Sequence, residues 1–257
     1  MIRLTFLLRR KPGMSLEEFQ DYWLNQHGPL VASHAGHLDI LRYVQVHTLE
    51  TGANEAMARA RGGKMEPPYD GVAELWWASD ASLEAAGATE AGAQASAELL
   101  EDEARFIDLP QSPLWMNCEY PQVNPTPENL VARPKNNLVK IYFPLRHLAS
   151  FDESAARAYW LQTHGPIIRS HAPASGILRY MQVHRIDHPI ADEARKARGT
   201  VVPPYLGHAE VWVSRDRVAT DESRAASAAA VADETNFIDF ERSCIWMAKE
   251  HVIIDRR

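Results

Sequence analysis

YWLNQHGPLVASHAGHLDILRYVQVH, residues 22–47, decides the fold because it occurs twice. It returns as YWLQTHGPIIRSHAPASGILRYMQVH at 159–184, with 16 of 26 positions identical at a constant offset of 137. The match runs on. PPYDGVAELWW (67–77) pairs with PPYLGHAEVWV (203–213), and FIDLPQSPLWM (106–116) with FIDFERSCIWM (237–247). The offset falls from 137 to 136 to 131, so the second copy has shorter loops. Six of the seven tryptophans fall in matched pairs, namely Trp23/Trp160, Trp76/Trp212 and Trp115/Trp246. The 257 residues therefore divide into a first domain at 1–120, a linker at 121–137 with four prolines, and a second domain at 138–257. Two copies are too few for a solenoid, so the expectation is two similar domains about a pseudo-twofold axis.

Hydrophobic patterning within one copy gives the order β-α-β-β-α-β. Strands are expected at 2–8, 41–47, 71–77 and 114–119, and at 138–145, 178–184, 207–213 and 245–250. A helix is expected over 15–27, opened by a capping box of Ser15 with Glu18 and closed by the HGP triplet, because Pro29 disfavours helical geometry before it. Asp152 can cap its counterpart. Ala-rich stretches 81–104 and 217–235 read as the second helices. Period-2 alternation then gives each sheet an apolar face for the helices and a mixed face. Tyr43, Gln45, His47, Glu74 and Trp76 are expected on that mixed face. So are Lys140, Tyr142, Tyr180, Gln182, His184, His208, Glu210 and Trp212. Such a face suits the wall of a ligand cavity closed by two sheets.

Composition excludes several classes. A net charge of −7 and no Lys/Arg cluster argue against nucleic acid. No apolar run reaches the roughly 18 residues of a membrane span. The N-terminal apolar stretch precedes its basic residues, the reverse of a signal peptide, and the two cysteines make no disulfide framework, so a cytoplasmic protein is expected. GxGxxG after a strand, GxxxxGK[ST], GxSxG and HExxH are all missing from the sequence.

The succession YW-x-x-x-HGP, RYVQ-x-H, DG-x-AE-x-W and a helix ending in FID resembles the EthD family, over nearly all of both copies. The resemblance implies a dimeric α+β barrel: two ferredoxin-like units with facing sheets, here within one chain. It also implies a cavity between sheet and helices in each half, and it makes the HGP histidine the signature polar residue. Relatives in that superfamily include cyclases, dehydratases, cofactor-free monooxygenases, isomerases and haem enzymes.

His27 and His164, the HGP histidines, can serve as general acid or base near neutral pH, or can simply bond the last carbonyls of a helix. His34 and His171 are matched seven residues on, at a spacing unlike that of helical zinc ligands, so no metal is expected. Tyr43 and Tyr180, with Gln45 and Gln182, could orient a phenol or carbonyl oxygen. Glu74 and Glu210, beside Trp76 and Trp212, could shuttle protons with raised pKa, or pair with Arg3 or Lys140 on the neighbouring strand. The halves differ: Asp70 becomes Leu206, Val72 becomes His208 and Thr5 becomes Tyr142, so the second cavity is expected to be richer in acid–base groups. Site chemistry and resemblance together suggest a lyase without cofactor, with His27, His164, His208, Tyr43 and Tyr180 as its catalytic groups. The substrate would be a small aromatic or polyketide-like molecule. A cofactor-free monooxygenase of phenols and a non-catalytic carrier are the alternatives, and pairing of two chains into a homodimer stays open.

Overall fold

The computed structural model describes residues 1–126 and 130–257. Runs of β-branched and aromatic residues form eight strands: β1 (Ile2–Leu8), β2 (Arg42–Thr48), β3 (Gly71–Trp77), β4 (Leu114–Val123), β5 (Leu138–Leu145), β6 (Ile177–Ile186), β7 (Gly207–Ser214) and β8 (Trp246–Asp255). They close into one barrel in the order β1-β3-β2-β8-β5-β7-β6-β4, with every ladder antiparallel. The fold is thus α+β around a closed eight-stranded barrel. Each half contributes four adjacent strands, β4-β1-β3-β2 and β8-β5-β7-β6. The seams are β4 against β6 and β8 against β2. These seams lengthen β4 and β8 beyond the sequence expectation, because their distal residues find partners only in the other half.

The linker expected at 121–137 is correspondingly shorter. Residues 121–123 belong to β4, and 127–129 lie outside the described residues. The rest is docked: Val131 and Ala132 are buried, and Ala132 N–H donates to the Glu250 carboxylate at 2.7 Å.

The capping box of Ser15 and Glu18 opens α1 (Leu16–Tyr22) as expected, and Asp152 caps α6 (Glu153–Tyr159). HGP does not end the helix. A single π turn at Trp23–His27 passes directly into α2 (Gly28–Ser33), and Trp160–His164 likewise passes into α7 (Gly165–Ser175). Proline lacks an N–H and is tolerated at the start of the new α segment. The helix expected at 81–104 is two, α4 (Asp80–Gly87) and α5 (Glu90–Phe106). Thr89 caps the second, and a Cβ on Gly92 would come within 2.0 Å of the Ala86 carbonyl oxygen, so the tight junction needs glycine. The second copy has one helix there, α9 (Asp221–Glu234). Two short helices were not expected: α3 (Gly52–Arg59) and its counterpart α8 (Pro189–Ala197). No helix among the described residues is long and apolar enough to cross a membrane.

Two strands, β2 and β6, face the other way from the sequence expectation. Val44 lies opposite Glu74 and Tyr43 opposite Leu75, so β2 turns its valines into the barrel and Tyr43, Gln45 and His47 out to the helices. β6 does the same with Tyr180, Gln182 and His184, each buried under the helix layer. Polarity misled here because both faces of the sheet are covered, and the helix layer carries the partners these groups need.

Two candidate active sites between sheet and helices

The π turn places the HGP histidine. It leaves the Trp23 carbonyl to accept from Gly28 N–H and from the Gln45 amide at 2.7 Å. A Cβ on Gly28 would stand 3.0 Å from that amide, so any larger residue would press the Gln45 side chain back by a few tenths of an ångström. π turns of this kind cluster at functional sites. His27 is buried, and its Nδ1 lies 2.8 Å from the Asp102 carboxylate, whose other oxygen accepts from Tyr22 OH at 2.7 Å. A carboxylate only accepts, so Nδ1 donates to it and Nε2 is the ring nitrogen left for another partner. The second half repeats this with His164 Nδ1 to Asp233 at 2.7 Å and Tyr159 OH to Asp233 at 2.8 Å.

The displaced β2 triad orients a donor. His47 Nε2 lies 3.0 Å from Gln45 Oε1, which turns the Gln45 amide towards Tyr43 OH at 3.1 Å. Trp23 Nε1 also donates to Tyr43 OH, at 2.9 Å. Both lone-pair positions of that hydroxyl are taken, so its own hydrogen is free to donate. Burial pushes the Tyr43 phenol pKa well above its ordinary value, so it stays a donor. Burial also holds His47, stacked on Trp23 at 4.7 Å, neutral. In the second half, Tyr180 OH accepts from Trp160 Nε1 at 3.3 Å and Gln182 at 3.1 Å, and burial lowers the His184 pKa to about 3.

His27 and Tyr43 meet on one cavity of about 600 Å³, and His164 and Tyr180 on another of about 360 Å³. Most of each wall is apolar: Phe6, Leu75, Trp77 and Leu99 in the first, Phe143, Val211 and Ile168 in the second. Each wall is finished by the opposite half. Arg198, which caps α8, forms a bidentate pair with Glu103 at 2.8 and 2.9 Å and lies over Phe6. Arg61, beyond α3, pairs with Glu234 at 2.7 and 2.9 Å and lies over Phe143.

The remaining expected site residues lie elsewhere. Glu74, Glu210, Trp76, Trp212, Tyr142 and His208 point into the barrel lumen, which is filled. Arg3 reaches Glu74 at 2.7 Å, Glu119 at 2.8 Å and Glu210; Lys140 reaches Glu74 at 2.6 Å, Glu210 at 3.1 Å and Glu250 at 3.5 Å. These are the ion pairs foreseen as the alternative for the glutamates. The Trp76 and Trp212 indoles donate to Glu119 and Glu250 at 3.2 and 2.8 Å. Burial raises the Glu74 pKa to about 7, while at Glu210 the pull of Arg3 and Lys140 outweighs burial and keeps it ionised. His208, stacked on Tyr142 at 4.5 Å and bonded to Glu210 at 3.1 Å, is pushed down to about 3 by burial. The second cavity therefore does not gain His208 or Tyr142, contrary to expectation. His34 is drawn to Glu98 at 3.0 Å, whereas His171 lines the second cavity. Among the described residues no cluster of His, Cys, Asp or Glu is arranged for a metal.

Asp102, Asp233, Glu103 and Glu234 are not among the residues expected from sequence. Their signal was present: DEARFID (102–108) repeats as DETNFID (233–239), in register with the FID match.

Comparison with known proteins adds the family. No curated protein matches the chain. A solved structure of a proposed monooxygenase from Lactobacillus acidophilus NCFM aligns over 99% of this chain and 95% of its own, at 8% identity and TM-score 0.45. Another, from Fusobacterium nucleatum subsp. nucleatum ATCC 25586, aligns over 98% and 93%, at 7% identity and TM-score 0.48. The EthD domain model matches residues 11–110 and again 149–241, spanning both histidine–aspartate pairs. The chain is a member of the EthD family that carries the domain twice.

Proposed function

We propose that the protein is an enzyme of acid–base chemistry, a lyase acting on a small aromatic or polyketide-like molecule with its own side chains as the catalytic groups. One observation carries this reading: an Asp-supported histidine and a tyrosine left only to donate share one largely apolar cavity, in both halves. The cavity walls suit an aromatic body. Tyr43 or Tyr180 donates to the substrate's carbonyl or phenolic oxygen, where charge develops. His27 or His164 Nε2 takes a proton from carbon or from a β-hydroxyl. Asp102 or Asp233 holds the ring in that tautomer and stabilises the imidazolium. The electron pair released from the broken C–H or O–H bond expels hydroxide, protonated by the same imidazolium and lost as water, or breaks a C–C bond to release a small aldehyde. In the second case the imidazolium returns its proton to the carbon left behind. We also read each half as a ferredoxin-like unit and the barrel as their dimer within one chain, supported by the strand order β4-β1-β3-β2 and its repeat.

The test is an anaerobic and aerobic screen against phenolic and related aromatic compounds, followed by mass spectrometry. Turnover without oxygen, with loss of water or an aldehyde, is expected. The double variant His27→Ala/His164→Ala should then lose roughly 10²–10⁴-fold in rate. Turnover only in air would replace the lyase by a monooxygenase, and tight binding without turnover would make the protein a carrier.

A further inference from the structure

The two cavities share their catalytic set but not the charge at their mouths. Glu84 on α4 and Glu193 on α8 line the first, both exposed at its rim. The second has Ala56 where the first has Glu193, at the offset of 137. It has no counterpart of α4 either. The chain after β7 instead brings Arg217 to the opening. The Arg217 guanidinium donates to the Ser175 carbonyl at 2.8 Å and, among the described residues, has no carboxylate partner. His171 stands on the same wall. It is free to do so because Glu98, which draws His34 away in the first half, is matched by Ala229 at the offset of 131. Glu234 is the one carboxylate lining the second cavity among the described residues, and Arg61 neutralises it. Arg217 also lines an adjoining groove of about 800 Å³, whose other arginine, Arg224, is already paired with Asp221.

We propose that the cavities have diverged in ligand charge: the second takes an amphipathic anion, whose apolar body lies against Val211 and Phe143 and whose carboxylate meets Arg217 beside His171, while the first takes a neutral apolar ligand. This rests on reading the cavities as ligand sites and is independent of the reaction. An anionic group gains a charge-assisted hydrogen bond at the second mouth. At the first it meets two like charges.

The probes are 4-phenylbutanoate and 4-phenylbutan-1-ol, the same body with and without the charge, titrated calorimetrically into the whole protein at pH 7.5. The acid should fill one site per chain. Arg217→Glu should weaken the acid roughly 10- to 100-fold and leave the alcohol unchanged. Arg217→Gln, which adds no charge, should weaken the acid less, and it decides the matter if Arg217→Glu does not fold. Absence of acid binding to the natural protein, two equal sites for the acid, or equal weakening of both probes overturns the proposal. Turnover is not read, so failure here is distinct from failure of the lyase.

Discussion

Glu74 enters the barrel lumen and Leu75, the next residue, enters a cavity under the helices. The same eight strands thus build two opposite interiors. The lumen is charged and filled: Arg3 and Lys140 each bridge Glu74 and Glu210, tying the first half to the second. The helix-side layer is apolar and holds space, with few polar groups, each already oriented by a neighbour. The difference teaches that density of ionisable groups is a poor guide to a site. In the lumen the charges hold one another, and the polar atoms without a bond there, such as His208 Nδ1 and the Tyr142 hydroxyl, lie buried among stacked rings. In the cavities, one imidazole nitrogen and one phenolic hydrogen are left over, and a leftover is what a ligand can use.

That contrast can be broken most forcefully from the lumen side. Lys140→Met leaves Glu74, Glu210 and Glu250 with too little positive charge, and removing one partner of a buried ion pair costs about 3–5 kcal/mol. Urea denaturation should show this loss, while ligand affinity of the folded fraction stays unchanged. Loss of binding by the folded protein would mean that lumen and cavities are not separate. Acid provides the next largest effect. The folded state holds His208 neutral down to about pH 3, whereas an unfolded histidine takes a proton near pH 6.5. The stability His208 contributes is therefore full above pH 6.5 and is lost as pH falls from there towards 3. Between pH 7 and pH 5 the loss from this residue is about 2 kcal/mol. His208→Val installs the residue found at the matched Val72 and should flatten the pH dependence of unfolding by about that amount; an unchanged slope would place the acid sensitivity elsewhere. The smallest effect sharpens the cavity side. Tyr22→Phe removes one of the two hydrogen bonds to Asp102, which also pairs with Arg105 at 3.7 Å, and should cost about 0.5–1.5 kcal/mol of stability in thermal or urea melts. The first-half site should keep most of its rate, since the His27 bond remains.

The repeated 26-residue segment made the domain count, the strand positions and the HGP histidines legible. What it could not convey was orientation. Val44 and Tyr43 alternate as any strand does, but only the pairing of Val44 with Glu74 says which of them faces the lumen. Likewise, Pro29 reads as a helix stop, and only the π turn before it lets the helix run on. Asp102 and Asp233 were visible in the DE-x-x-FID repeat, although no sequence rule joins an aspartate at 102 to a histidine at 27. The arginine arms are of the same kind. ARG at 60–62 recurs at 197–199, yet its partner lies in the other copy, a relation that no local pattern encodes.

Those arms have an evolutionary consequence. A duplicated gene segment is ordinarily free to decay in one copy while the other carries the work. Here Arg61 belongs to the first copy but completes the second copy's cavity, and Arg198 does the reverse. A deletion that erodes one repeat therefore damages its neighbour's site as well as its own. Selection on either site guards both copies, so the halves can specialise but neither can be discarded.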